Sequence, residues 1–237
     1  YEIASCLVGS EMCIRDSSKT GKVEFMGEDI SHIESYKLLP KGLAHVPEGR
    51  RIFLQMTVEE NLDKFEVVWG PIVAYAESKG VRIAIENCPM LFGRDQWPGG
   101  QNLMCTPKIY RQLFEIIPSP NFGLNFDPSH YVWQGLDYLK TVYDFADRIF
   151  HIHFKDIKLY PDRLAECGVL AYPLDYMSPK IPGLGDVNWG AFISALNDIR
   201  YDGDAVIEVE DKAFEGSNED ILKSIRLSKR YLDNYLI

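Results

Sequence analysis

In four short segments of the chain apolar residues alternate with polar ones. Between those segments the apolar spacing stretches to that of a helix. The alternating segments are VRIAIEN (Val81 to Asn87), FGLNFD (Phe122 to Asp127), RIFHIHFKD (Arg148 to Asp156) and DAVIEVED (Asp204 to Asp211), and each reads as a strand. Helical spacing predicts helices near 107–117, 136–147, 189–199 and 219–235. Another covers FEVVWGPIVAYAESKG (Phe65 to Gly80) and ends in Gly, as helices often do. Strands alternating with helices predict parallel βα units and an α/β fold.

Successive side chains of a strand point to opposite faces, so each strand splits into two rows. Ile83 and Ile85 oppose Ala84 and Glu86. Phe122, Leu124 and Phe126 oppose Gly123, Asn125 and Asp127. Phe150, Ile152 and Phe154 oppose Ile149, His151, His153 and Lys155, and Ile207 and Val209 oppose Val206, Glu208 and Glu210. One row is apolar and suited to packing under helices. The other turns polar toward the C-terminal end and offers Glu86, Asp127, His153 and Glu208. In a barrel of parallel strands that end of the inward row is where sites are built. Three carboxylates and an imidazole converging there would repel one another without a cation. Mostly oxygen donors with one nitrogen suit Mn²⁺, Mg²⁺ or Co²⁺, and Zn²⁺ is a further fit. Taken singly these residues have plainer readings: a strand-end Glu is commonly solvated, His151 reads as a hydrogen-bonded interior histidine, and Asp127 before Pro128 and Ser129 suits a turn or helix cap. Glu210 reads as a group behind the ligands and Asp211 as a loop acid. The repetition on four successive strands favours a site.

A metal held there would act as Lewis acid and template. The stretch Leu91 to Thr106, with Trp97, Gly99 and Gly100, reads equally as a loop closing over the substrate or as a surface excursion. The glycines of IPGLGDVNW (Ile181 to Trp189) make a turn before a helix capped near Asn188.

The N-terminal part has a different texture. GKVEFMGEDI (Gly21 to Ile30) reads as two short strand segments around a Gly turn, and GLAHVPEGRRIF (Gly42 to Phe53) as a buried strand followed by a charged loop. In TVEENL, Thr57 and Glu60 form a capping box that starts a helix.

Composition narrows the setting. The 237 residues, 46% hydrophobic and 25% charged, are ordinary for a soluble globular protein. A net charge of -10 argues against a binder of nucleic-acid phosphates. No apolar run approaches the roughly 20 residues that span a bilayer. The five cysteines, Cys6, Cys13, Cys88, Cys105 and Cys167, form no CxxC pair, so neither a zinc knuckle nor a disulfide framework is expected, and a cytoplasmic setting is the default.

Three resemblances follow. From about residue 65 onward the chain resembles the sugar phosphate isomerase/epimerase family with its xylose isomerase-like TIM barrel. IAIENCPM (Ile83 to Met90), LNFDPSHY (Leu124 to Tyr131), HIHFKD (His151 to Asp156), IPGLGDVNW and VIEVED (Val206 to Asp211) carry that likeness. It implies one divalent metal on Glu86, Asp127, His153 and Glu208, and a small sugar held with help from His130 and Lys155. It also implies proton transfer next to the sugar's carbonyl, with catalytic Glu86 and Glu208 as general base and acid and Lys155 helping to stabilise enediolate charge. Residues 18–64 resemble the ATP-binding subunit of branched-chain amino-acid ABC transporters through GEDI, GLAHVPEGRRIF and MTVEENL. That likeness would put Glu48 in the loop sensing the γ-phosphate. The stretch lacks a GxxxxGK[ST] loop, a signature motif and a Walker B strand, so no ATPase is expected. CLVGSEMCIRDS (Cys6 to Ser17) has no period of either kind. Leu7 to Asp16 can be written CTC GTG GGC TCG GAG ATG TGT ATA AGA GAC, which resembles a translated sequencing adapter.

The expected organisation is therefore an adapter-derived stretch at 1–17, an ABC-like fragment at 18–64, and the C-terminal half of a (β/α)₈ barrel, four βα units, at 65–237. Half a barrel leaves two parallel edges open, so self-association, marginal stability and impaired activity are expected. Two other readings stand beside the isomerase: a non-functional chimera of joined reads, and an AP endonuclease-like member of the same superfamily, which the acidic balance disfavours.

Overall fold

The computed structural model describes residues 24–25, 28–29, 33, 57–89, 94 and 102–235. The chain divides into two compact units, residues 1–50 and 51–237. In the first, β1 (Glu24–Phe25) pairs antiparallel with β2 (Glu28–Asp29), matching the two strand segments read from GKVEFMGEDI. The adapter-like stretch, GLAHVPEGRRIF with Glu48, and Trp97, Gly99 and Gly100 of the expected closing loop lie outside the described residues.

The second unit opens with α1 (Val58–Ser78). Its capping box is complete: the Glu60 N–H donates to Thr57 Oγ1 at 3.2 Å, and the Thr57 N–H donates to Glu60 Oε2 at 2.7 Å. With its first turn fixed, the helix runs on without a break through Phe65 and through the internal Pro71. Phe65 and Val73 face inward, and Phe65 packs on Trp69 and Phe122.

Four strands then build a parallel sheet in the order β3 (Ile83–Glu86), β4 (Phe122–Phe126), β5 (Ile149–Phe154) and β8 (Asp204–Ile207). Helix α2 (Pro107–Ile116) lies between β3 and β4. The short helices α3 (Ser129–Gln134) and α4 (Tyr138–Asp144) lie between β4 and β5. Helix α6 (Trp189–Asp198) precedes β8, and α7 (Asn218–Leu232) follows it. This is the α/β arrangement of parallel βα units that the alternation predicts. Helix α3 was not foreseen, because six residues are too few to display a helical period.

The apolar rows do what their period implies. Phe122, Leu124, Phe126 and Ile152 are fully buried, and Phe126 and Phe154 meet Tyr131 and Trp189 edge to face. Each such side chain contributes on the order of 2 kcal/mol through burial. Gly123 is required where it stands: a Cβ there would lie 2.2 Å from the Arg148 carbonyl. The β4–β5 register shifts between Leu124 and Asn125, so the ladder is irregular just before the polar end of β4.

One stretch departs from the sequence reading. The third strand, read through Asp156, stops at Phe154. From Asp156 the chain enters a separate antiparallel pair, β6 (Asp156–Leu159) with β7 (Met177–Lys180), enclosing α5 (Pro161–Cys167). The cause is the Asp156 carboxylate. Oδ1 accepts from the N–H groups of Ile157 (2.8 Å) and Val187 (3.0 Å), and Oδ2 from Gly183 N–H (3.0 Å) and the Trp189 indole (2.8 Å). These bonds hold the glycine turn of IPGLGDVNW, with Gly183 at φ +92°, against the start of the hairpin. Asn188 Oδ1 accepts from the Ala191 N–H at 3.0 Å and caps α6 as expected.

Candidate metal centre

The polar rows converge. Glu86 ends β3, Asp127 and Glu208 follow β4 and β8 directly, and His153 is the penultimate residue of β5. One donor atom from each of Glu86, Asp127, His153 and Glu208 lies within 4.8 Å of the others. His153 Nδ1 is 3.0 Å from both Glu86 Oε1 and Glu208 Oε2. Register brings this about: His153 pairs with Val206, and although β8 ends at Ile207, the Glu208 N–H still donates to the Phe154 carbonyl at 3.2 Å.

The other two expected site residues join the same cluster. His130, in the first turn of α3 and three residues beyond Asp127, places Nε2 3.3 Å from Asp127 Oδ2 and 3.9 Å from Glu86 Oε1. Lys155 is buried, with Nζ 3.2 Å from Asp127 Oδ2, 3.3 Å from Glu208 Oε2 and 3.2 Å from Glu210 Oε2. Asp211 pairs with Lys180 at 3.0 Å, away from this group. His151 is half-buried and sets its ring edge-on to His153, centroids 5.6 Å apart.

Three asparagines that sequence reasoning did not single out hold the frame. Asn87 and Asp127 bond reciprocally: the Asp127 N–H donates to Asn87 Oδ1 at 2.7 Å, and Asn87 Nδ2 donates to the Asp127 carbonyl at 2.8 Å. Asn102 Nδ2 reaches the carbonyls of Glu86 and Cys88, each at 2.7 Å, and fixes the end of β3. Asn125 Nδ2 lies 2.8 Å from His153 Nε2. Asn125 stood in the polar row beside Asp127, so a signal for it existed. Asn87 closes the segment VRIAIEN and Asn102 falls in the stretch Leu91 to Thr106, and nothing in either pattern marks them.

The electrostatics are those of an acid-rich cluster. Four carboxylates, Glu86, Asp127, Glu208 and Glu210, surround Lys155 and His153. Burial opposes charge on Glu86, but the His153 hydrogen bond and Lys155 hold it well below the usual carboxylate range. Glu208 is likewise drawn down to about 2: burial opposes charge there, and Lys155 and His153 outweigh it. Burial pushes Asp127 up to about 7; Lys155 works against that rise, and Glu208 and Glu86 add to it. His153 rises to about 10, since its bonds to Glu208 and Glu86 outweigh its desolvation. Burial, then Lys155, brings His130 down to about 3.

The donor set fits a divalent cation on the structure's own terms. Asp127 Oδ2 is buried with no hydrogen bond and has only ion-pair neighbours, and Glu208 Oε2 meets only the cationic groups of His153 and Lys155. Such oxygens require compensating positive charge. A cavity of about 120 Å³ adjoins the cluster, bounded by His130, Lys155 and Glu210 on the polar side and by Trp133, Ile157 and Met177 on the apolar side.

Comparison with known proteins places this arrangement in a class. Residues 30–231 match the family described as xylose isomerase-like TIM barrel, and the chain belongs to that family. An uncharacterised protein of Methanocaldococcus jannaschii is 28% identical over 178 residues, 74% of this chain and 51% of that protein. The inosose dehydratase of Lacticaseibacillus casei is 32% identical over 137 residues, 56% and 44% of the two chains. The branched-chain amino-acid transport ATP-binding protein BraG of Pseudomonas aeruginosa is 39% identical over 123 residues, 48% and 51% of the two. The chain thus spans about half the length of the curated relatives it matches. Among solved structures, the IOLI protein with a bound zinc atom superposes with TM-score 0.57 at 18% identity, covering 77% of this chain and 60% of that one. A D-tagatose 3-epimerase-like protein superposes with TM-score 0.53 at 24% identity, covering 78% and 60%. No helix among the described residues is long and apolar enough to cross a membrane.

Proposed function

We propose that the chain carries the metal centre of a metal-dependent sugar isomerase or epimerase, with Glu86, Asp127, His153 and Glu208 as ligands. The observation that carries this reading is the meeting of those four donors within 4.8 Å at the C-terminal ends of four adjacent parallel strands. When bound, the cation supplies Lewis acidity and a fixed orientation for a carbonyl and its neighbouring hydroxyl. Mn²⁺, Mg²⁺ and Co²⁺ suit the oxygen-rich set best, and the zinc of the IOLI protein keeps Zn²⁺ in play.

The chain's own residues handle the proton. Glu86 and Glu208, which flank His153 Nδ1 at 3.0 Å each, are placed to take a proton from the carbon beside the carbonyl and to return it. Burial keeps His130 neutral, so it can hydrogen-bond a sugar hydroxyl without adding charge. Lys155, held charged by its acids, offsets negative charge that develops on the substrate oxygens. The apolar wall of Trp133, Ile157 and Met177 suits the C–H face of a sugar. Dehydration is a related outcome of the same proton abstraction, and the inosose dehydratase relatives favour including it.

The test is calorimetric titration of the purified chain with Mn²⁺, followed by assays on ketohexoses and an inosose with Mn²⁺ or with chelator. Saturable binding that Glu208→Gln abolishes is expected. Binding unchanged in Glu208→Gln would sink the ligand assignment, and cleavage of abasic DNA in place of sugar turnover would move the chain to the endonuclease branch.

A second reading concerns residues 1–64. We infer from the BraG likeness beside the barrel family match that an ABC-like fragment, preceded by an adapter-derived stretch, was joined to the barrel segment, and that the joined polypeptide has no evolved function. Long-read sequencing of unfragmented source DNA across residues 1–70 decides it. A reading frame that runs uninterrupted through these joints in genomic DNA would overturn it.

A further inference from the structure

We propose that Asn125 is a positioning residue for the metal centre: its amide oxygen takes the Nε2–H of His153 and so turns a proton-free Nδ1 toward the cation. The inference rests on the metal-site reading above and adds to it the group that sets the tautomer of its one nitrogen ligand.

Three contacts lead to it. His153 Nδ1 is the nitrogen that faces the acids, 3.0 Å from Glu86 Oε1 and from Glu208 Oε2, so it is the atom placed to bind a cation. A neutral imidazole that gives Nδ1 to a metal carries its proton on Nε2, and that proton needs an acceptor. The side chain at Nε2 is Asn125, 2.8 Å away on the neighbouring strand. Its Nδ2 faces the ring, and its Oδ1 is buried without a hydrogen bond.

A carboxamide offers oxygen on one side and NH₂ on the other, and a half turn about its last torsion exchanges them with almost no change in shape. In the neutral tautomer that carries its proton on Nδ1, toward Glu86 and Glu208, Nε2 accepts from Nδ2. When Nδ1 is given to a cation, the amide turns and Oδ1 accepts from Nε2–H. The unanchored Oδ1 means that the turn breaks no hydrogen bond of that oxygen. Asn125 can therefore serve both forms of the ring, which neither a carboxylate (acceptor only) nor an apolar side chain can do. The register shift between Leu124 and Asn125 falls where β4 must aim this amide at a ring on β5.

The test compares Mn²⁺ affinity, by calorimetry, in the wild-type chain, Asn125→Leu, Asn125→Asp and Glu208→Gln, with the thermal midpoint of each metal-free chain. Asn125→Leu is expected to weaken Mn²⁺ binding about 10- to 100-fold, as loss of such outer partners typically does. Asn125→Asp, which keeps an oxygen acceptor, should stay within a few-fold of wild type. Metal affinity unchanged in Asn125→Leu, alongside its loss in Glu208→Gln, overturns the role of Asn125 and leaves the metal site standing. Absence of binding in the wild type, or its persistence in Glu208→Gln, overturns both. Should Asn125→Leu not fold, long-range ¹H–¹⁵N spectra of the Zn²⁺-loaded wild type decide. An Nε2–H tautomer at His153 supports the proposal, and an Nδ1–H tautomer overturns it.

Discussion

Asp127 and Asp156 are both completely buried, about thirty residues apart in the chain, and their surroundings could hardly differ more. Asp156 has both oxygens engaged by four N–H donors, from Ile157, Gly183, Val187 and Trp189. Asp127 has one oxygen engaged, by the Ser129 N–H at 2.8 Å, while the other faces Lys155 and His130 with no hydrogen bond. The first acid is a structural clamp, since every lone pair that burial would penalise is used by the fold itself. The second has been left with capacity, and the groups around it are other acids and cations rather than loop amides. Burial alone does not separate these roles; the state of the last oxygen does.

That contrast can be broken from either side. The largest effect is expected for Asp156→Ala, which orphans four donors and should destabilise the fold by about 4 kcal/mol or more. Urea unfolding measures it, and a loss below about 1 kcal/mol would mean that the clamp holds nothing. Asp127→Asn should do the reverse. Its amide oxygen still accepts from Ser129, so metal-free stability should change by no more than about 1 kcal/mol, while Mn²⁺ affinity falls at least about 100-fold. Equal losses of stability in the two variants would erase the distinction. The smallest change, Trp189→Phe, removes one of the four donors to Asp156 and should cost about 1 kcal/mol, well short of Asp156→Ala.

The sequence was informative where a period existed and poor where side chains set the path. Alternation placed the four parallel strands and brought Glu86, Asp127, His153 and Glu208 onto one row, because the strand period is strict and the apolar row of the central strand β4 is wholly buried. The antiparallel pair β6–β7 escaped notice. Tyr160 to Tyr176, with Pro161, Gly168 and Pro173, shows no alternation, and the hairpin is held by an aspartate whose donors lie some thirty residues downstream. Lys155 was read as a substrate contact from its place in HIHFKD. Its burial among Asp127, Glu208 and Glu210 depends on residues brought from other strands, which no local pattern reveals. Asn102 is the same case: it acts on Glu86 across a loop and has no neighbour in sequence that announces it.

The continuous first helix bears on how the barrel segment can be prepared by itself. A recombinant version started at Phe65, where the barrel-like texture begins, would cut within α1 and discard the Thr57–Glu60 box that closes its first turn. What remained would begin as a frayed end just where Phe65 must dock on Phe122 at the base of the sheet. Cloning from Thr57 or earlier keeps the helix's own start signal with the domain it serves, whatever the ancestry of the residues that supply it.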